Sequence, residues 1–347
     1  MKALANVYAV GARSPLGLDA LSTALMLRTG LPAITGAPLA APGGGPLTMA
    51  YDRTQDPLQV GEERAGRLAI EALRELARMA GPAARGLRLR AALAFPEARP
   101  GQPKSEVGRV LMSELRTALR ETFGEVLVDL SAAGSAGLAY VLPRALSALA
   151  AREVDAIIVG GAHSDYDPLQ ILALDVAGRL FTPERIDGTI PGECAAFALL
   201  GRDDLAQTLG LSPLCRIHSV ASAEGDLSAY GDASSLDPVA LTAVIRDAAA
   251  GLPEDCQLGW AIGDHGFEAY RTRELYAALT RTSSSFCPPI AIDAPAQRMG
   301  RLGAAALPLA LVVASQMYKR GYAPTPFGLL FAGSDGGERG AVLVGSV

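Results

Sequence analysis

Apolar runs rich in Val, Ile, Leu and Ala alternate along the chain with stretches of helical period. That alternation predicts an α/β protein with a largely parallel sheet carrying helices on its faces. In the first half, a strand ANVYAVG leads into a helix near Leu18 to Arg28 and then a Pro- and Gly-rich surface loop from Gly36 to Pro46. From Glu62 to Met79, the residues Leu68, Ala72, Leu76 and Met79 fall on one helical face. Arg64, Arg67, Glu71, Glu75 and Arg78 fall largely outside it, which reads as an amphipathic helix with a solvated charged face. Strands are expected at 90–95, 125–129 and 155–160, with helices at 106–120 and 136–151 between them.

The second half repeats the order. Strands are expected at 215–221, 258–263, 290–292, 328–332 and 340–344, and helices at 238–251, 270–281 and 303–320. Between Arg202 and Pro213 a charged turn and Gly210 interrupt the apolar periodicity, so the chain divides into residues 1–205 and 206–347. A length of 347 residues fits this plan, at about 150 residues per packed unit.

Composition narrows the function classes. Lys plus Arg is 31 against 36 Asp plus Glu, a net charge of −5 with no block of like charge, which excludes a duplex-binding surface driven by counterion release. Hydrophobic residues make up 50%, charged residues 19%, and mean hydropathy is +0.24, the balance of a packed globular chain with strands buried on both faces. The most apolar stretch, Gly303 to Ala314, contains Pro308 and falls well short of the roughly 20 residues that span a bilayer. The N-terminal apolar run is short and ends at Arg13, so it reads as a first strand and not as a signal peptide. Cys194, Cys215, Cys256 and Cys287 form no Cys-x-x-Cys pair and have no His at metal spacing. The expectation is a cytoplasmic protein with neither structural zinc nor cofactor.

Three stretches carry a resemblance to the β-ketoacyl synthases. Val159 to Asp204 resembles the segment in which a Gly-Gly strand end leads through an ordered loop to a D-G-x-x-x-G-E-G-A turn, here Asp187, Gly188, Gly192, Glu193, Cys194 and Ala195. VGARSPLGLDALSTALMLRTG is similar to the opening strand, S-P-L-G turn and first helix. MGRLGAAALPLALVVA and GSDGGERGAVLVGSV resemble the G-H-x-x-G-A-A-G helix start and the closing strand pair. The resemblance implies the thiolase fold: two βαβαβαββ halves in five αβαβα layers, as a homodimer or a heterodimer with a related chain.

The same resemblance puts the chemistry in doubt. A condensing enzyme needs a thiolate at a helix N-terminus, where backbone N–H groups lower its pKa and hold the acyl oxyanion. In VDLSAAGSAGLAYVLPRAL the nucleophile's place falls on Gly134. Ser131 and Ser135 are close by, as weak nucleophile candidates or as turn and cap serines. His265 follows the strand GWAIGD and is the candidate for one family histidine. The other is replaced by Arg301, which can hold an anion but cannot act as a base. Ala296 stands where the family has a lysine. His163 and His218 read as structural histidines and Cys194 as an inert buried thiol. Cys287 is the one thiol in a polar loop, away from the nucleophile position. The Gly336-Gly337 turn is a candidate wall for a pocket taking an acyl or carboxylate group.

Two functions of different class follow. The first is a catalytically degenerate scaffold or partner subunit, similar to the chain-length factor or to the thiolase-like proteins of type VI secretion, with a secretion effector or an acyl carrier protein as further partners. The second is an acyl-carrier-protein-dependent acyltransferase or related enzyme using His265 with Ser131 or Ser135. A conventional 3-oxoacyl synthase conflicts with the absence of any Cys from Met1 to Glu193.

Overall fold

The computed structural model describes residues 3–98, 102–226, 228–229 and 236–347. Its first half runs β1 (Ala5–Arg13), α1 (Ala20–Thr29), β2 (Ile34–Ala40), β3 (Pro46–Ala50), α2 (Gly61–Ala80), β4 (Leu89–Ala94) and α3 (Arg109–Phe123). It continues through β5 (Val126–Ser131), α4 (Gly137–Ala150), β6 (Ala156–Ser164), α5 (Pro168–Val176), β7 (Glu193–Gly201) and α6 (Leu205–Leu209). The second half is β8 (Cys215–Glu224), α7 (Val239–Ala249), β9 (Leu258–Gly263), α8 (Ala269–Arg281) and β10 (Phe286–Asp293). It closes with α9 (Ala296–Met299), α10 (Ala306–Lys319), β11 (Phe327–Gly333) and β12 (Glu338–Gly345).

Ten strands form one sheet in the order β10-β9-β11-β12-β8-β1-β7-β6-β4-β5. Numbered within its own half, each set of five strands has the order 3-2-4-5-1, so the two halves share one topology. They join where Ala5 to Val7 of β1 pair antiparallel with Cys215 to Ile217 of β8. The sheet is mixed and not largely parallel: β4 pairs parallel with β5 and β6, while β7 runs antiparallel to both β6 and β1.

The layers follow from where apolar side chains can go. α10 has no charged residue between Ala306 and Gln316 and buries all of that stretch. It packs beside α4 between the two half-sheets, in a core that takes in Val7, Val159, Ile217, Trp260 and Val342. α2 and α3 cover the outer face of the first half-sheet, where Leu68, Leu76 and Leu115 meet Tyr8 and Phe197. α7 and α8 cover the outer face of the second, where Val244 and Leu275 meet Leu329 and Phe331. The result is the five-layer thiolase fold.

Three local expectations change. The stretch expected as a loop begins with β2, which pairs with β3 as a hairpin whose Leu47 and Met49 are buried against Tyr166 and Leu174. The segment after the Gly160-Gly161 strand end is helical: α5 is capped by Asp167 and buries Ile171 and Leu174. On α2, Arg64 and Glu75 point inward. Arg64 is 1% exposed and gives Glu193 two hydrogen bonds, Nε to Oε2 at 2.7 Å and Nη2 to Oε1 at 2.9 Å. Glu75 accepts N–H groups from Ala12 and Ala20, tying α2 to the end of β1 and the start of α1.

Among the described residues no helix is long and apolar enough to cross a membrane, and no cluster of His, Cys, Asp or Glu is arranged to hold a metal ion.

Candidate functional site

The site lies where the two central helices begin. α4 is entered through a single 3-10 turn, Gly134–Ala136, and α10 through its counterpart, Gly303–Ala305. Gly134 has φ +49° and Gly303 φ +46°, a left-handed backbone that disfavours any side chain. The space beside each is also taken. A Cβ on Gly134 would overlap the carboxylate of Glu97, and one on Gly303 would overlap the ring of His163.

A continuous line of buried charge crosses the site. His163 Nε2 is 3.0 Å from Asp165 Oδ1. Arg301 grips the same carboxylate with two bonds, Nη2 to Oδ1 at 2.6 Å and Nε to Oδ2 at 3.0 Å, and reaches Asp335 Oδ2 through Nη1 at 3.1 Å. Arg179 holds Asp335 from the other side at 2.8 and 3.0 Å and extends the line to Glu268 at 2.8 and 3.0 Å. Behind Asp335, Arg271 pairs with Asp264 at 2.7 Å and with Glu274 at 3.0 Å, and Arg339 reaches Glu274 at 2.6 Å.

Burial alone would keep Asp165 and Asp335 neutral. Arg301 and His163 outweigh it at Asp165, holding that carboxyl well below the usual range. Arg179 and Arg301 outweigh it at Asp335, which is brought down to about 2. Glu97 goes the other way. Burial and the charge of Asp335 push its carboxyl up to about 7, although it accepts the N–H groups of Asp335 at 3.0 Å and Gly336 at 2.9 Å.

What space remains is small. A cavity of about 100 Å³ is lined by Glu97, Ser135, His163, Asp165, Arg301 and Asp335. A second, of about 50 Å³, lies beside Ser135, Phe267, Arg271, Arg301 and Asp335. Ser135, Arg301 and Asp335 line both, so the Arg301–Asp335 pair stands between them. At about 30 Å³ per water, the first has room for about three waters and the second for one or two.

The residues expected from sequence are thus partly brought together. Gly134, Ser135 and Arg301 meet at one site. Gly336 and Gly337, expected as a pocket wall, are not among the residues lining either cavity; the Gly336 N–H donates to Glu97, which does line one, and Gly337 takes φ +113° in the turn. Ser131 ends β5, outside both cavities, and its carbonyl accepts the Phe95 N–H. His265 lies outside them as well, stacked on Phe331 with Nδ1 buried and unpartnered, and burial lowers its pKa. No hydrogen bond joins it to either serine among the described residues. His163, read as structural, lines the larger cavity. His218 sits edge-on to Phe327 within β8. Cys194 is fully buried with its thiol pushed up, and Cys287 is exposed. Glu97, Asp165, Arg179, Glu268 and Asp335 were not singled out from sequence. For Glu97 and Asp335 the available signal was an acid set beside proline or glycine just past a strand, as in FPEARP and GSDGG.

Residues 126–206 match the family model for the N-terminal domain of β-ketoacyl synthases. No curated protein matches the chain with significance. Among solved structures, the oxazolomycin ketosynthase domain of Streptomyces albus JA3453 is similar at TM-score 0.75 and 16% identity, over 99% of this chain and 75% of that one. The ishigamide ketosynthase/chain length factor is similar at TM-score 0.77 and 15% identity, over 99% of both chains. A type II polyketide synthase ketosynthase, in complex with its acyl-carrier protein, is similar at TM-score 0.75 and 14% identity over 99% of both. These likenesses show the thiolase fold over the whole chain and a β-ketoacyl synthase family match over residues 126–206.

Proposed function

We propose that this chain is a ketosynthase-like subunit that does not condense acyl groups and works as a scaffold or partner, paired with a second copy or a related thiolase-fold chain. One observation carries the reading. At the place where the resemblance puts the nucleophile, the backbone is that of glycine and the adjoining space holds the Glu97 carboxylate. Arg301, in the place of a family histidine, is committed to two carboxylates. Losing one member of a catalytic set costs about as much as losing all of it.

The sheet edges support a partner chain. β10 and β5 are the two open edges. β10 carries Pro288 and Pro289, which lack N–H groups, and an irregular register, features that blunt an edge against pairing. β5 has neither, and it exposes Leu127 (62%) and Leu130 (50%). An edge of that kind is a template for another chain. The likeness to the ketosynthase/chain length factor favours a related chain in this role. An acyl carrier protein or a secretion effector, the latter resting on the sequence resemblance alone, would dock on that assembly.

Intact-mass spectrometry after challenge with acyl- and malonyl-loaded acyl carrier protein tests the reading, with carrier-bound product followed in parallel. Neither adduct nor turnover is expected. An increment lost on Ser135→Ala or Ser131→Ala, or turnover lost on His265→Ala, would establish an acyl-transfer enzyme instead.

A further inference from the structure

We infer that β5 meets β5 of a second copy in an antiparallel pair whose two-fold axis passes through Val128, with Leu130 of each copy seated in the groove between α3 and β5 of the other. This rests on the reading of the chain as a partner subunit, and it adds the occupant of the open edge and the register.

The backbone sets the first condition. β5 has no neighbour beyond β4 among the described residues. The Ser131 carbonyl turns toward β4, where it accepts the Phe95 N–H at 2.7 Å. Alternate residues of a strand point their N–H and C=O groups to opposite sides, so Leu127 and Asp129 also turn toward β4, while Val126, Val128 and Leu130 present theirs at the open edge. A second antiparallel strand centred on Val128 opposes Val126 to the partner's Leu130 and Val128 to the partner's Val128. Each of these residues then exchanges both of its bonds, and none of their N–H or C=O groups is left over. Centring one residue later, on Asp129, leaves Val126 without a partner in β5.

The side chains select the same register. A two-fold axis across the sheet keeps every side chain on its own face, so residues opposed to one another must both be even-numbered or both odd-numbered. Val126 and Val128 pack toward α2 and α3, and Leu130 shares that face while half exposed. A groove of about 340 Å³ lies there between α3 and β5, lined by Leu119, Val126 and Val128 together with Arg116 and Arg120. The axis at Val128 brings the partner's Leu130 beside Val126, so an exposed leucine meets the apolar side of that groove twice per dimer. On the opposite face Asp129 lies 3.4 Å from Arg90 and 3.6 Å from Arg144. The axis at Val128 sets the partner's Leu127 opposite this already compensated carboxylate. An axis at Asp129 would instead oppose two carboxylates at about 4.5–5.5 Å between Cβ atoms, which is destabilising. The edge is thus complementary to itself, and that selects a second copy.

Disulfide trapping reads the register. C256S/C287S removes the two exposed native thiols. In that background Val128→Cys should link to itself across the axis on mild oxidation, because directly opposed, hydrogen-bonded residues have Cα atoms about 5.5 Å apart and a disulfide spans about 4.4–6.8 Å. Asp129→Cys and Leu130→Cys, displaced from the axis, should remain thiols under the same oxidation. Linkage of D129C or L130C with V128C unlinked would move the axis and overturn the register. Leu130→Ala, at a half-exposed position that the monomer tolerates, should weaken the dimer by at least about tenfold in native mass spectrometry. It also decides should V128C fail to fold: an unchanged dissociation constant would overturn the seating of Leu130 in the groove. A natural chain that stays monomeric at micromolar concentration would overturn the second copy. The partner-subunit reading falls separately, on acyl turnover.

Discussion

Arg301 Nη1 lies 3.1 Å from Asp335 Oδ2, and that single contact closes a line of charge from His163 to Glu268. Arg301 also shares two bonds with Asp165, which has no exposed surface. An arginine so placed is shared between two buried carboxylates, Asp165, whose other partner is His163, and Asp335, whose other partner is Arg179. Removing it leaves Asp165 with His163 alone and Asp335 with Arg179 alone, and breaking a buried pair from one side costs about 3–5 kcal/mol. R301M should therefore lose about that much stability in urea unfolding. R301M/D165N should lose clearly less than the sum of the two single changes, because the amide no longer needs the cation. Additive losses would show that the pair is not coupled.

Much of this architecture was legible in the sequence and the charge line was not, for a physical reason. Strands buried on both faces announce themselves as continuous apolar runs, as β6 and β12 do. The β2–β3 hairpin was hidden because Ala, Gly and Pro dominate it. α5 was hidden because its sequence PLQILALDV has no polar face. Gly134 and Arg301 could be picked out through a family pattern. Their neighbours Glu97, Asp165 and Arg179 belong to contacts spanning 238, 136 and 156 positions, and no local period reports a pairing at that range.

The acid limb of stability belongs to Asp335 and Asp165. Both carboxyls are held below their ordinary value of 3.8, so their contribution is complete above it and disappears as pH falls through the folded values. For Asp335 the window runs from pH 3.8 down to about 2. The shift corresponds to about 2 kcal/mol. Urea midpoints measured from pH 5 to pH 2.5 should fall steeply for the natural chain and less for D335N. An equally steep fall in D335N would assign the acid limb to other groups.

The open β5 edge predicts an oligomer that two charges can undo. Leu127 and Leu130 are exposed on a strand whose only neighbour among the described residues is β4, while the core behind them belongs to other residues. Leu127→Arg with Leu130→Arg should convert a dimer to a monomer in native mass spectrometry, with a far-ultraviolet spectrum unchanged. Cys287→Arg, at the proline-bearing β10 edge, should leave the dimer intact. If the natural chain is monomeric at micromolar concentration, or if the β10 change dissociates it, the interface lies elsewhere.

The bareness of Gly134 has two separate causes, and they can be separated by mutation. At φ +49° an alanine pays for a left-handed backbone, about 1–2 kcal/mol. Its methyl group must also displace the Glu97 carboxyl, whose two N–H partners would then be left without it. G134A should thus lose about 2–4 kcal/mol in all. E97A alone takes the acceptor from the Asp335 and Gly336 N–H groups, a loss of about 1–3 kcal/mol that is partly offset by removing a carboxyl that burial and Asp335 oppose. In the E97A background, G134A should recover the steric part and retain only the backbone part, about 1–2 kcal/mol. A G134A loss of the same size with and without Glu97 would mean that the carboxyl does not occupy the space beside Gly134 in solution. A near-zero loss in the E97A background would mean that the turn entering α4 can relax out of the left-handed region.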